Sequence, residues 1–245
     1  MRLTRCYVPA PLSVGDTRRL PEDVSTHVAR VLRSRAGQLL TLFDGRGGEY
    51  EATILDIDRL GVRVQIDAHR AIERESPLTV TLLQALARGE RMDLIVQKAT
   101  ELGVAAIVAW GGERSLVRLD AQGLAKRCEH WRAIAISACE QCGRNRVPAI
   151  DAVADLTSAC TWADAASVRL LLSPQADRTL TSLVQQASSI SLLIGPEGGF
   201  SHDELALGKH YGFQGCRLGP RVLRAETAPL AALAAMQAVA GDFPS

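Results

Sequence analysis

The 245 residues contain no run approaching the roughly 20 uncharged apolar positions that a membrane span requires. The opening stretch MRLTRCYVPAPL carries charge and prolines where a signal peptide needs an apolar core. A soluble, cytoplasmic protein with no membrane partner is therefore expected. The six cysteines, at 6, 128, 139, 142, 160 and 216, have neither the density nor the regular spacing of a disulfide framework. They are read as reduced packing thiols. Cys128, His130, Cys139 and Cys142 do not make a zinc site on this reading, since Cys128 and Cys139 fall on one predicted helix, about 16 Å apart at 1.5 Å per residue; no metal is expected. Net charge is only +1, so the chain as a whole does not advertise a polyanionic partner. Neither GxGxxG after a strand nor GxxxxGK[ST] occurs, so the usual dinucleotide and P-loop readings lack their glycine signatures. There is no internal repeat and no low-complexity tract.

What is present is enough for a full core: 47% of residues are hydrophobic and 22% charged. From Pro21, the series Val24, His27, Val28, Val31, Leu32 marks one face of a helix, with Gly37 suited to its stop. QLLTLF, EYEATILDI and VRVQID then read as strands separated by glycine-bearing turns. Residues 1–72 are thus expected to form a small β-rich module, with the polar stretch from Ala71 to Pro77 as linker. It is basic at its start, with seven arginines against Asp16, Glu22 and Asp23 in the first 35 residues. Beyond it, over 73–245, strands alternate with helices. LTVTLLQAL, AAIVAW, VRLLLS, SISLLI and a segment around Cys216 are strands. Helices are expected near 92–102, along the stripe Leu124, Cys128, Trp131, Ala135, Ala138, Cys142, and near 180–187, 202–210 and the C-terminus. Such alternation argues for an α/β fold with a mostly parallel sheet covered on both faces.

Two loops carry the chemistry. SISLLI runs into Gly195-Pro196-Glu197-Gly198-Gly199-Phe200, and Ser201 stands three residues before Glu204, the spacing of a capping box. A sharp turn from a strand's C-terminal end to a helix N-terminus is where open α/β sheets bind ligands. Two glycines around a carboxylate exceed what a plain connection needs. The second loop runs from Leu218 to Pro229. Thr227 as N-cap and Pro229 in the first turn suit a helix start and need no function. Arg221, Arg224 and Glu226, crowded into a Gly-Pro loop, look instead like a polar pocket wall.

HVARVLR (27–33), QKATELGV (97–104), ERS (113–115), ACEQCGRNRVP (138–148), IGPEGGF (194–200) and LGPRVLRAETA (218–228) occur in order along nearly the whole chain. In these motifs the chain resembles the ribosomal RNA small-subunit methyltransferase E family of the SPOUT superfamily, enzymes that methylate N3 of a uridine in small-subunit (16S) ribosomal RNA. ARGER (87–91) departs from the family pattern, where a lysine is expected in place of Arg88. The resemblance implies an N-terminal PUA-like RNA-binding β-barrel over 1–72 and a C-terminal SPOUT domain with a deep trefoil knot over 73–245. It also implies a homodimer and an S-adenosylmethionine site. The cofactor residues so implied are Leu172, Ser173, Gly195, Pro196, Glu197, Gly198, Gly199, Leu218, Gly219, Val222, Leu223, Arg224, Ala225 and Thr227.

Uridine N3 has no free lone pair until its proton leaves, so a base or an anion-stabilising group is needed. Glu226 and Glu197 are candidates for the base, and Arg224 or Arg144 for the stabilising charge. N3 lies on the Watson–Crick edge, so the target must be unpaired or splayed out, which fits structured ribosomal RNA in the assembled subunit. Arg2, Arg5, His27, Arg30 and Arg33 form the expected phosphate-contacting set, with a half-buried helix position as the alternative for His27. A non-catalytic RNA-binding or ribosome-assembly protein that keeps the fold is the competing reading.

Overall fold

The computed structural model describes residues 4–115, 120–163 and 168–243. The chain forms two compact units, one of residues 1–75 with 139–147, the other of 76–138 with 148–245.

In the first unit, β1 (Arg5–Tyr7), β2 (Thr17–Arg19), β3 (Leu39–Phe43), β4 (Glu49–Asp58) and β5 (Gly61–Arg70) form one sheet in the order β1-β3-β4-β5-β2. β1 lies parallel to β3, and the other pairings are antiparallel. Inward positions alternate along β5, where Val62, Val64 and Ile66 are fully buried; they pack with Leu40, Leu42 and Ile54. The helix expected from Pro21 is shorter than its apolar series suggests. α1 (Glu22–Thr26) passes into a π-helical turn, His27–Val31, and the chain leaves helix there, with Arg33 at φ 51°. The wider turn breaks the 3.6-residue period, so Val28 is buried while Val31 and Leu32 are 67% and 40% exposed.

The second unit is built on β6 (Thr79–Ala85), β7 (Ala106–Trp110), β8 (Ala149–Val153), β9 (Val168–Leu172), β10 (Ser189–Ile194) and β11 (Gln214–Cys216). All pair in parallel, in the order β11-β9-β10-β6-β7-β8. The connecting helices are α2 (Glu90–Glu101), α3 (Ala121–Cys142), α4 (Leu156–Cys160), α5 (Leu180–Leu183), α6 (His202–His210) and α7 (Thr227–Ala240). Near-continuous apolar runs such as Leu192-Leu193-Ile194 belong to strands buried on both faces. The chain builds β6, β7 and β8 toward one edge and then returns to place β9, β10 and β11 on the other side. Sheets that change direction in this way bind ligands beyond the strands' C-terminal ends.

Gly103 at φ 80° and Gly143 at φ 94° follow α2 and α3, as the stop signals predict. β8 and α4 were not foreseen, although Asp155 caps α4 by accepting a hydrogen bond from the Ser158 amide at 2.8 Å. Along α3 the buried side chains are Trp131, Ala135, Ala138 and Cys139, with Leu124, Cys128 and Cys142 only half-buried. No helix among the described residues is long and apolar enough to cross a membrane.

Candidate active site

β10 delivers the first loop. The Gly199 amide donates to the Pro196 carbonyl at 2.8 Å, and Gly199 sits at φ 70°. Ser201 and Glu204 then form the expected capping box at the start of α6. Gly195 is required by closeness, because a Cβ there would lie 3.0 Å from the Phe200 ring. That ring is itself held, stacked on the buried Trp110 with centroids 6.1 Å apart. From a separate loop, Arg114 donates to the carbonyls of Gly198 at 3.3 Å and Phe200 at 3.1 Å, while the Glu113 amide donates to Glu204 Oε1 at 2.8 Å. Glu113 and Arg114 thus clamp the glycine-rich turn and the start of α6.

The end of β9 and the loop after β11 supply the facing walls, joined where the Ser173 amide donates to the Cys216 carbonyl at 2.8 Å. The backbone amides from Leu218 to Glu226 make no hydrogen bond to another described residue, Pro220 having none to give. That row of donors is open to a ligand. Together the three segments enclose a cavity of about 370 Å³, within the range of small-molecule sites. Leu172, Ser173, Gly195, Pro196, Glu197, Gly198, Gly199, Leu218, Gly219, Val222, Leu223 and Ala225 line it, and Arg221 does too. Arg224 and Thr227 do not. Arg114 and Phe200, which fall in the ERS and IGPEGGF motifs but not among the expected cofactor residues, line it as well, as do Gln175 and Leu205.

Of the two candidate carboxylates, Glu197 lines the cavity and Glu226, next in the chain to the lining residue Ala225, does not. Glu197, its side chain 21% exposed, accepts from Arg91 Nη1 at 3.2 Å. Glu226 is 16% exposed, and its Oε2 is buried with no hydrogen-bond partner among the described residues; Arg91 Nε approaches to 3.8 Å. Thr227 is not the N-cap expected of it. It is the first residue of α7, with Glu226 at the cap position and making no side-chain cap bond, which leaves that carboxylate free for other use. Arg224 is exposed.

Other expected positions lie in the first unit, and two need correction. Arg5 is no phosphate contact: its side chain is 8% exposed, pairs with Glu49, donates to Asn145 Oδ1 at 2.6 Å and to the Arg144 carbonyl at 3.2 Å, and lies over the Phe43 ring. Arg144 is only 4% exposed, and its Nε donates to Glu75 Oε1 at 3.0 Å. Burial works against its charge, but the Glu75 carboxylate outweighs burial and holds the guanidinium firmly protonated. Both arginines are internal struts, held by carboxylate and carbonyl oxygens of the same unit. His27, Arg30 and Arg33 are exposed, and Arg2 lies outside the described residues.

The chain matches two domain families, an RNA methyltransferase domain over residues 74–237 and an RNA methyltransferase PUA domain over residues 20–67. It is similar to ribosomal RNA small subunit methyltransferase E of Buchnera aphidicola, 31% identical over 99% of this chain and 96% of that protein. It is 34% identical to the protein of that name from Mycobacterium bovis, over 94% of this chain and 89% of the other. Among solved structures it is similar to the Neisseria gonorrhoeae ribosomal RNA small subunit methyltransferase E bound to S-adenosyl methionine, with TM-score 0.91 and 39% identity over 99% of this chain and 100% of that one. The chain belongs to the ribosomal RNA small subunit methyltransferase E family.

Proposed function

We propose that this protein methylates N3 of a specific uridine in small-subunit (16S) ribosomal RNA, with S-adenosylmethionine as methyl donor. The observation that carries the reading is the glycine-walled cavity, whose lining residue Ala225 is followed directly by Glu226, a side chain whose Oε2 is buried with no hydrogen-bond donor among the described residues. A buried anionic oxygen without a partner is costly unless a ligand completes it. A sulfonium, an ammonium and a uracil N–H are all groups that would, and the Neisseria relative was crystallised with S-adenosyl methionine. The residues fit the cofactor.

When bound, S-adenosylmethionine supplies an electrophilic methyl on a positively charged sulfur. Gly195, Gly198 and Gly219 let backbone close on it, and the open amides of 218–226 offer it donors. Glu226 accepts the uridine N3 proton, leaving the lone pair on N3 for the new N–C bond. Glu197 supplies a second negative charge at the same wall. Arg224, exposed beside the cavity, stabilises charge developing on the uracil oxygens. Positioning these groups in line is most of the catalysis. His27, Arg30 and Arg33 contact RNA phosphates, and the target base is unpaired when it enters.

Family membership supports the remaining parts of the proposal. These are a trefoil knot in the 195–227 region, closure of the first sheet into a PUA-like barrel, a homodimer, and action on the assembled subunit in the cytoplasm. The test is incubation with methyl-labelled S-adenosylmethionine and small subunits lacking the modification. Wild-type protein should label the RNA, and Glu226→Gln should lower the rate by about 10²- to 10⁴-fold, the usual worth of a general base. Cofactor binding without RNA labelling would mean that the acceptor is wrong. Absence of both would favour a non-catalytic RNA-binding protein.

A further inference from the structure

We propose that Arg91 is a positioning residue that ties the two cofactor loops together and holds the Glu226 carboxylate in place to take the N3 proton. The inference rests on the proposed role of Glu226 as base. Glu197 stands near the start of the loop after β10, and Glu226 at the end of the loop that leads into α7. Both face a single guanidinium: Arg91 Nη1 lies 3.2 Å from Glu197 Oε1, and Arg91 Nε lies 3.8 Å from Glu226 Oε2. The Arg88 amide reinforces the first contact, 3.5 Å from Glu197 Oε1. A third element, the first turn of α2, therefore sets the two loops relative to each other.

The two distances carry different meanings. At 3.2 Å Arg91 makes a hydrogen bond and anchors Glu197. At 3.8 Å it sets an opposite charge beside Glu226 without occupying the oxygen's lone pairs, and no donor among the described residues occupies them either. A base needs lone pairs that no donor already occupies. Full hydrogen bonding from Arg91 would stabilise the carboxylate but block it. Only arginine offers a planar fork of donors long enough to serve two carboxylates at once; a lysine ammonium is a point charge that can stand near either.

Placement within the helix supports the same conclusion. Arg91 lies in the first turn of α2, where a cation opposes the helix dipole, and its companions there, Glu90 and Asp93, are acidic as the dipole prefers. Its neighbours on the helix, Met92, Ile95 and Val96, are buried in the core, so α2 is fixed independently of Arg91. The arginine is 43% exposed, and its loss removes no core packing.

The experiment compares wild type, Arg91→Gln, Arg91→Lys, Glu226→Gln and the double variant Arg91→Gln/Glu226→Gln. Cofactor affinity is measured by calorimetry, and single-turnover methylation is measured on small subunits at saturating cofactor. Arg91→Gln is expected to lower the single-turnover rate by roughly 10- to 100-fold with a much smaller change in cofactor affinity. Arg91→Lys should recover part of that rate, because the charge returns while the bridge does not. In the Glu226→Gln background, Arg91→Gln should cost little more, since the group it serves is already gone. An undiminished further loss in the double variant would overturn the proposal, as would a defect confined to cofactor affinity. Full activity of Glu226→Gln would remove the base and this proposal with it, while wild-type labelling of RNA would leave the methyltransferase reading standing.

Discussion

Truncating Arg5 to alanine separates an internal strut from an RNA contact. The wild-type guanidinium pairs with Glu49, whose side chain is 12% exposed, and donates to Asn145 Oδ1 and the Arg144 carbonyl. Its removal strands those acceptors and takes the cation from the Phe43 ring. Breaking a buried pair by deleting one partner costs about 3–5 kcal/mol, because the other charge is left uncompensated. Arg74 still reaches Glu49 at 3.2 Å from a 43% exposed position, so the low end of that range applies, about 3 kcal/mol. For a unit of this size such a loss lowers Tm by on the order of 10 °C or more. Differential scanning calorimetry of Arg5→Ala reads this directly. RNA titrations across salt concentration, run well below the lowered midpoint, read the alternative. Losing a phosphate contact reduces the slope of log K against log salt by about 1, which is expected of Arg30→Ala and not of Arg5→Ala. An Arg5→Ala protein with unchanged Tm and a reduced salt slope would refute the assignment.

Gly195→Ala would place a Cβ 3.0 Å from the Phe200 ring, which Trp110 keeps from retreating. The loop must shift, and overpacking of about 1–3 kcal/mol corresponds to roughly 10- to 100-fold weaker cofactor binding by calorimetry. Unchanged affinity would mean that the turn is not part of the cofactor wall. Burial pushes the thiols of Cys6, Cys139 and Cys216 up to about 12 and that of Cys160 up to about 11. At pH 8 they are protonated, and a disulfide reagent should modify them only once denaturant unfolds the chain; rapid reaction of all six cysteines in the native protein would contradict the packing.

Local signals in this sequence were good guides where local chemistry decided the structure. The capping box at Ser201 and Glu204, the left-handed glycines at 103 and 143, and the apolar runs of the parallel strands all formed as their patterns indicate. The loops after β10 and β11 were legible because glycine, proline and charge are crowded there beyond the needs of a turn. The π-helical turn at His27–Val31 was not, since an apolar series at helical spacing says nothing of a wider turn that interrupts it. Arg5 was misread because a count of arginines does not distinguish a solvated cation from one enclosed by Glu49 and Asn145, partners 44 and 140 residues away. Arg114 and Arg91 were missed as parts of the site for the same reason, reaching the glycine-rich loop across 84 and 106 residues of sequence. Periodicity also could not reveal that 139–147 belong with the first unit, since an amphipathic stripe shows that a face is buried and not which core buries it.

Nucleoside mass spectrometry of small-subunit RNA, after reaction of the wild-type protein with labelled S-adenosylmethionine and unmodified subunits, tests the central claim most directly. One labelled nucleoside is expected, N3-methyluridine, since a carboxylate such as Glu226 serves to remove an N–H proton. Label on a ribose hydroxyl, on a base carbon, or on no nucleoside at all despite bound cofactor would contradict it.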